Sequence, residues 1–90
     1  MRLDVFLKTS RLVKRRTLAK EYCEEGRVTA GGGPAKPGRE VKAGDVITIE
    51  LSRRVVVFEV VETPVGNVTK ERAATLYKIL EDKVKDKEDF

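Results

Sequence analysis

The chain has 90 residues, of which 40% are hydrophobic and 38% charged, and its net charge is +4, so we expect one small domain with a thin core and a densely ionic surface. It has no histidine and a single cysteine, Cys23, which excludes a disulfide and disfavours a zinc centre, histidine-based catalysis or any enzyme acting alone. No apolar run approaches the ~20 residues of a membrane span, and we expect a cytoplasmic protein without metal or cofactor.

Two short amphipathic helices are predicted at the start of the chain. The first apolar stripe has the spacing i, i+3, i+4 and consists of Leu3, Phe6 and Leu7. The second stripe consists of Leu18, Ala19, Tyr22 and Cys23. These stripes predict helices over residues 2–9 and about 14–25, the second ended by Gly26 in the left-handed conformation. The hydroxyls of Thr9 and Ser10 are candidate caps for the segment after the first helix.

The middle of the chain alternates with the period of β-strands. Short strands are predicted over residues 27–30, Val46–Leu51 and Val55–Glu62, and residues 52–54 make a plausible hairpin connection. The glycine run 31–33 lacks the GxxxxGK[ST] pattern of a phosphate-binding loop. We therefore interpret it as a tight connection between strands.

The end of the chain predicts a third helix and then a frayed tail. Thr69 is a good N-cap, and the apolar stripe of this helix consists of Ala73, Leu76, Tyr77 and Leu80. The predicted fold is α+β, with two N-terminal helices packed on a small, mostly antiparallel sheet, plus a C-terminal helix. We assign residues 1–62 to the domain, 63–80 to the C-terminal helix and 81–90 to the charged tail.

Positive charge is concentrated in the two N-terminal helices. Residues 1–42 carry 11 Lys and Arg against 5 Asp and Glu, whereas residues 43–90 carry 8 against 10. The cations of the first twenty residues are Arg2, Lys8, Arg11, Lys14, Arg15, Arg16 and Lys20, opposed only by Asp4. This asymmetry predicts a polyanionic partner.

Several side chains in this region have candidate roles. Cations at residues 14–16 lie at the positive dipole end of the second helix, where they do not stabilise it, so we interpret them as functional. Lys36, after the glycine run, is a further candidate phosphate contact. Asp4 is expected to cap the first helix or to orient an arginine, and we assign Asp4 and Ser10 supporting roles. Tyr22, Tyr77 and Cys23 are interpreted as packing residues.

A combination of motifs in residues 1–51 resembles the S4 RNA-binding domain. The motifs are Arg2-Leu3-Asp4-x-x-Leu7, Ser10-Arg11, Ala19 followed by Gly26-Arg27-Val28, and Val41-Lys42-x-Gly44-Asp45-x-Ile47. The run 14–20 and the later Ala73-Ala74-x-x-Tyr77-x-Ile79-Leu80 narrow the resemblance to the bacterial RqcP (YabO) family. The chain departs from many S4 domains in having Gly31-Gly32 where they have an Asn-Gly hairpin, which affects only loop contacts.

The resemblance implies a factor of ribosome-associated quality control, and we expect the protein to be a monomer. Members of that family bind the large ribosomal subunit obstructed by peptidyl-tRNA, contact rRNA and P-site tRNA, and act beside RqcH, a NEMF-family protein, in alanine tailing. Arg2 and Arg16 match family positions implicated in RNA contact. The complete set predicted to bind RNA is Arg2, Lys8, Arg11, Lys14, Arg15, Arg16, Lys20 and Lys36.

Three other functions stay open. A heat-shock-type S4 protein recycles obstructed large subunits but carries a longer basic extension, whereas residues 81–90 here lean acidic. A fragment of an S4-containing enzyme, such as a pseudouridine synthase, would lack its catalytic domain, and Met1 directly before the motif argues against it. A general ribosome assembly or structural protein would occupy nearly all subunits, whereas a rescue factor would occupy few.

Overall fold

The computed structural model describes residues 1–85, which form two helices, a five-stranded sheet and one further helical turn. The helices are α1 (Leu3–Thr9), α2 (Arg16–Glu24) and α3 (Lys70–Ala73). The strands are β1 (Val28–Ala30), β2 (Gly33–Pro34), β3 (Val46–Glu50), β4 (Arg54–Val60) and β5 (Tyr77–Val84). The α+β class with two leading helices is confirmed. Among the described residues, no helix is long and apolar enough to cross a membrane.

All neighbouring strands of the sheet run antiparallel, in the order β2-β1-β3-β4-β5. The β1–β2 connection turns through Gly31 and Gly32, whose φ angles are +61° and +85°. Two consecutive positive φ angles are typical of the tight turn that suits a twisted hairpin, and glycine adopts them without steric strain. The glycine run is therefore a hairpin connection, as predicted, and the usual Asn is not needed for the turn.

One face of the sheet forms the core. On β3, Ile47 and Ile49 are fully buried while Val46 and Glu50 are exposed, which is the alternation expected of a strand covered on one side. β4 continues this face, and the ring of its Phe58 stacks on that of Phe6 from α1 at 6.2 Å between centroids. Packing between these rings holds α1 against the sheet.

The apolar stripes of both helices face this core as predicted. Leu3, Phe6 and Leu7 are fully buried, as are Ala19 and, nearly so, Cys23. Gly26, at φ +77°, follows α2 in the predicted left-handed conformation. Tyr22 and Tyr77 are partly buried against the core.

The start of α2 differs from the prediction. The helix begins at Arg16 rather than near residue 14, and its N-cap residue, Arg15, makes no side-chain capping hydrogen bond. Ser10 instead ends α1, where its buried hydroxyl donates to the Leu7 carbonyl oxygen at 3.2 Å. The hydroxyl therefore satisfies a terminal carbonyl of the preceding helix.

The predicted C-terminal helix is wrong beyond its first turn. Thr69 caps α3 as expected, its hydroxyl accepting from Arg72 N at 3.1 Å, but the helix ends at Ala73 and residues 77–84 form β5. The apolar stripe of this segment fits a helical period. A strand here nevertheless pairs with β4, and this pairing satisfies the backbone N–H and C=O groups that β4 would otherwise expose at the edge of the sheet. The Tyr77 ring also packs edge-to-face on Phe58, at 5.9 Å between centroids.

The predicted frayed tail is also wrong for its first four residues. Residues 81–84 pair with β4, with a bulge in the register at Val57 and Phe58 where Leu80 is the extra residue. Lys85 donates its N–H to the Arg53 carbonyl oxygen at 2.8 Å, and the remaining residues of the predicted tail, 86–90, lie outside the described residues.

Candidate nucleic-acid interface

A buried carboxylate organises the charged surface at the beginning of α1. The side chain of Asp4 is 2% exposed and accepts from Arg2 Nε at 3.1 Å, Arg2 Nη2 at 3.3 Å and Arg16 Nε at 3.3 Å. Its Oδ1 also accepts from Val5 N at 2.8 Å. Burial by itself would raise the pKa of Asp4, but the hydrogen bonds and charges of the two arginines outweigh it and lower the pKa. Asp4 is thus a fixed anion that orients two half-exposed guanidinium groups.

A loop after β2 closes over the same end of α1. Leu3 N donates to the Arg39 carbonyl oxygen at 2.8 Å, and Asp4 N donates to that of Pro37 at 3.1 Å. Arg2 also forms an isolated antiparallel bridge with Glu40. The loop therefore satisfies the first N–H groups of α1, and it brings two additional cations, on residues 36 and 39, beside Arg2.

A cationic concavity lies between this loop and α2. Its volume is about 680 Å³, and its charged lining residues are Arg2, Lys20, Glu24, Lys36 and Arg39. The remainder of the lining comes from residues 34, 35, 37 and 38. Four cations against one carboxylate make this concavity, hereafter the groove, a site of positive potential.

The second concavity lies at the opposite end of α1. It has a volume of about 230 Å³ and includes the cations Lys8, Arg11 and Lys14, with Asn67 and Val68 from the segment before α3. A rise of ~1.5 Å per residue separates Arg2 from Lys8 by roughly 9 Å along the helix axis. Cations are therefore spread over both ends of α1.

Arg11 lies in this second concavity with a left-handed backbone conformation, at φ +65°. It directly follows the C-cap residue of α1, a position where glycine is common. An arginine there carries strain of ~1–2 kcal/mol because its Cβ approaches the neighbouring carbonyl. The side chain is exposed, so it gains no stabilisation from burial that would offset the strain.

The beginning of α2 also has an unfavourable charge pattern. Its first turn contains Arg16 and no acidic residue, and acidic residues are gathered towards its other end at positions 21, 24 and 25. This order opposes the helix dipole, which favours anions at the N-terminus and cations at the C-terminus. The exposed, uncapped start of α2 is consequently electropositive.

The structure divides the residues predicted to bind RNA into groups. Arg2 and Arg16 meet at Asp4, while Lys20 and Lys36 join Arg2 in the groove. Lys8, Arg11 and Lys14 share the second concavity, and Arg15 is exposed at the start of α2 and lines neither. Ser10 is buried and acts on the backbone of α1. Contact of these side chains with RNA stays a prediction.

Sequence reasoning missed Arg39 and Glu24 as lining residues of the groove. Arg39 follows a Pro-Gly pair in an irregular loop, and only the closure of that loop over α1 brings it to Arg2. Glu24 lies four residues after Lys20 on the same helix face, a spacing that the sequence does contain. That spacing was the only available signal for either residue.

Comparison with known proteins defines the class of this domain. Residues 1–47 match the family model described as "S4 domain". Among solved structures, the trimeric structure of heat shock protein 15 from Vibrio cholerae superimposes with a TM-score of 0.81 at 29% identity, covering 88% of this chain and 80% of that one.

Curated relatives narrow the class. A protein of Halalkalibacterium halodurans named "RQC P-site tRNA stabilizing factor" is 52% identical over 79 residues, which are 88% of this chain and 89% of the relative. The Bacillus subtilis protein of the same name is 46% identical over 82 residues, 91% and 94% of the two chains. The chain therefore belongs to the S4 domain family and, within it, to the family of RQC P-site tRNA stabilizing factors.

Proposed function

We propose that this protein binds RNA on the large ribosomal subunit when peptidyl-tRNA obstructs it, contacting both rRNA and the P-site tRNA. The observation that carries the proposal is the Asp4 carboxylate, which holds Arg2 and Arg16 in fixed orientations. The names of the relatives supply the P-site tRNA as the cognate partner. Within this proposal the protein acts in the cytoplasm on ribosomes and supports RqcH-dependent alanine tailing.

The proposed mechanism is positional and includes no chemical step. Structured RNA exposes phosphates and 2′-hydroxyls to a protein surface, while the deep groove of an A-form helix is closed to side chains. Arg2 and Arg16 present planar guanidinium groups, which suit phosphate oxygens better than a lysine does. The cations at both ends of α1 are spaced to follow two RNA segments, which fits simultaneous contact with rRNA and tRNA.

Electrostatic recognition of this kind makes a quantitative prediction about salt. If ~4–6 phosphates are neutralised, the logarithm of the association constant falls with the logarithm of salt concentration with a slope of magnitude ~3–5. Affinity that does not change with salt would contradict the proposal.

The functional test is co-sedimentation with two preparations of large subunits, one empty and one carrying peptidyl-tRNA, at about 150 mM salt. The variant is Arg16→Ala. The matched control is Arg53→Ala, which removes the same charge from an exposed position in the β3–β4 turn. We expect wild type and the control to prefer the obstructed subunit, and Arg16→Ala to lose that preference. Its loss of thermal stability should be smaller than that of Asp4→Asn, because the Asp4 carboxylate keeps its hydrogen bonds from Arg2 and Val5 N.

Other outcomes would assign a different role. Equal binding to both preparations would favour a general assembly or structural protein. Equal losses of binding and stability in Arg16→Ala would make the residue structural.

We also propose that the protein acts as a monomer, which sedimentation velocity of the free protein measures directly.

Recycling of obstructed subunits is the second candidate function, because the fold also superimposes on a heat shock protein 15. Under quality control, adding this protein with RqcH and alanyl-tRNA should lengthen nascent chains by alanine. Under recycling, it should move the peptidyl-tRNA without adding alanine.

A further inference from the structure

The groove carries more than the positive potential that a phosphate backbone requires. The lining side chains Lys20, Lys36, Arg39 and Glu24 make no ion pair or side-chain hydrogen bond within residues 1–85. Glu24 differs from the other charged side chains of the groove because it is negatively charged. A carboxylate facing the same space as four cations repels phosphate, so a groove that served phosphates alone would be better without it.

The uncharged lining of the groove offers surface on which a base can pack. It includes the rings of Pro34 and Pro37 together with Gly38. The Arg2 guanidinium lies against Gly38, with 3.7 Å between Cζ and the position that a Cβ would take. Because Asp4 holds Arg2 through Nε and Nη2, the guanidinium plane is fixed. Flat arginine planes and apolar surfaces are what unstacked RNA bases pack on.

From this combination we propose that the groove takes one unpaired guanine nucleotide of the RNA partner. The base packs against the Arg2 guanidinium and the Pro37-Gly38 backbone, and its flanking phosphates contact the lysines of the groove. Guanine presents two adjacent donors, N1–H and the N2 amino group, on its Watson–Crick edge. The two carboxylate oxygens of Glu24 accept both, whereas uracil and adenine offer no matching pair.

The dimensions of the groove are compatible with this occupant. Its volume of about 680 Å³ falls within the ~300–1,000 Å³ typical of small-molecule sites. Lys20 and Glu24 are one helical turn apart on α2, so a phosphate and the edge of its base can be contacted from the same helix face. The inference rests on the proposed RNA-binding function and adds a nucleotide preference to it.

The test uses RNA hairpins with one identical stem and a single bulged nucleotide, which is guanine, inosine, adenine or uracil, with the fully paired stem as reference. Fluorescence anisotropy at about 150 mM salt gives the affinities. We expect wild type to bind the guanine bulge at least about 5-fold more tightly than the uracil or adenine bulge. Inosine, which lacks the N2 amino group, should fall between them.

Two variants and a control separate base recognition from charge. Glu24→Gln keeps the size of the side chain and should abolish the preference for guanine. Glu21→Gln removes the same charge from a residue of α2 outside the groove lining and should retain it. Gly38→Val places a side chain over the Arg2 guanidinium at a position without positive φ, and should reduce binding of the bulged RNA while leaving the paired stem unaffected.

The outcomes distinguish this inference from the function on which it rests. If Glu24→Gln tightens binding to every RNA equally, the carboxylate acts only through its charge and the inference is overturned. Salt-dependent binding without nucleotide preference would also overturn it, while leaving the proposed RNA-binding function intact. If wild type binds none of the RNAs, both fail.

Discussion

Replacing Asp4 with asparagine separates the positioning of the arginines from their charge. The carboxylate accepts three hydrogen bonds from Arg2 and Arg16 and one from Val5 N. Hydrogen bonds to a charged group contribute ~1.5–3 kcal/mol each before the desolvation of the buried anion is subtracted. Because the two arginine side chains are 49% and 54% exposed, solvent screens much of this attraction.

We therefore expect Asp4→Asn to lower the free energy of unfolding by ~1–2 kcal/mol, which corresponds to a fall in Tm of ~4–16 °C for a domain of this size. RNA affinity should fall as well, although the net charge rises by one. Each released arginine has up to ~2 kcal/mol of rotamer entropy to lose again on binding. A loss of about 10-fold in affinity is the expected result by fluorescence anisotropy at constant salt.

The opposite result would refute this reasoning. If Asp4→Asn binds structured RNA more tightly than wild type, net charge dominates and the fixed orientation of Arg2 and Arg16 is irrelevant. Heparin serves as the control, because an unstructured polyanion should bind the variant at least as well as wild type.

The stability difference between wild type and this variant depends on pH in a defined way. The pKa of Asp4 is lowered in the folded protein, so its contribution to stability is present above the unfolded value of ~3.9 and is lost as pH falls through the folded value. The difference in Tm between wild type and Asp4→Asn should therefore be constant near neutrality and shrink in acid. A difference that stays constant down to pH ~2 would mean that the carboxylate charge is not what stabilises the fold.

Three further predictions concern single positions. Arg11→Gly should raise the free energy of unfolding by ~0.5–1 kcal/mol, because it relieves a left-handed arginine, and should weaken RNA binding; denaturant titration and anisotropy measure the two effects. Burial, followed by nearby carboxylate charges, raises the pKa of the Cys23 thiol to about 11. The thiol's contribution to stability should therefore be lost as pH rises from ~9 through that value. Tm measurements should show this loss in wild type but not in Cys23→Ala. Leu76→Ala should destabilise by ~2–5 kcal/mol and Leu80→Ala by less than ~1 kcal/mol, since the first is fully buried and the second 47% exposed. Equal losses in urea titrations would contradict the strand at 77–84 and favour the helical stripe, which would bury both residues.

The elements whose structure depends only on local sequence patterns were predictable from the sequence. The stripes of α1 and α2 need only their own helical spacing to define a buried face, and Gly26 and the Gly31-Gly32 turn need only a conformation that glycine favours. The core strands β3 and β4 likewise alternate in the sequence as they do in the sheet.

β5 was not predictable because its structure depends on a distant partner. Leu76, Tyr77 and Leu80 fit a helical stripe, and nothing in the segment itself specifies a strand. The deciding interaction is the open edge of β4, which pairs with β5 along its full length. Tertiary pairing of this kind overrides local preference, as is common for strands.

The residues of the candidate site also fall into those that the sequence predicted and those that it did not. The cations of α1 and the start of α2 were identifiable because they are dense in sequence, and the interaction between Asp4 and an arginine was anticipated because Arg2 is two residues away. Arg39 and Glu24 belong to the groove only because the loop 36–40 folds back over α1. A charge count along the chain contains no information about that closure.

Three locally unfavourable features lie on the cationic surface that extends over both ends of α1, and together they argue for function more strongly than any of them alone. Arg11 is strained where glycine would relax, α2 starts without a cap, and cations precede anions along α2 against its dipole. Each feature has a simple stabilising substitution, and each such substitution removes positive charge from the same surface or adds negative charge to it. A polyanion that binds there would neutralise these cations without relieving the backbone strain at Arg11, and because it binds only the folded protein, Tm should rise with the concentration of structured RNA.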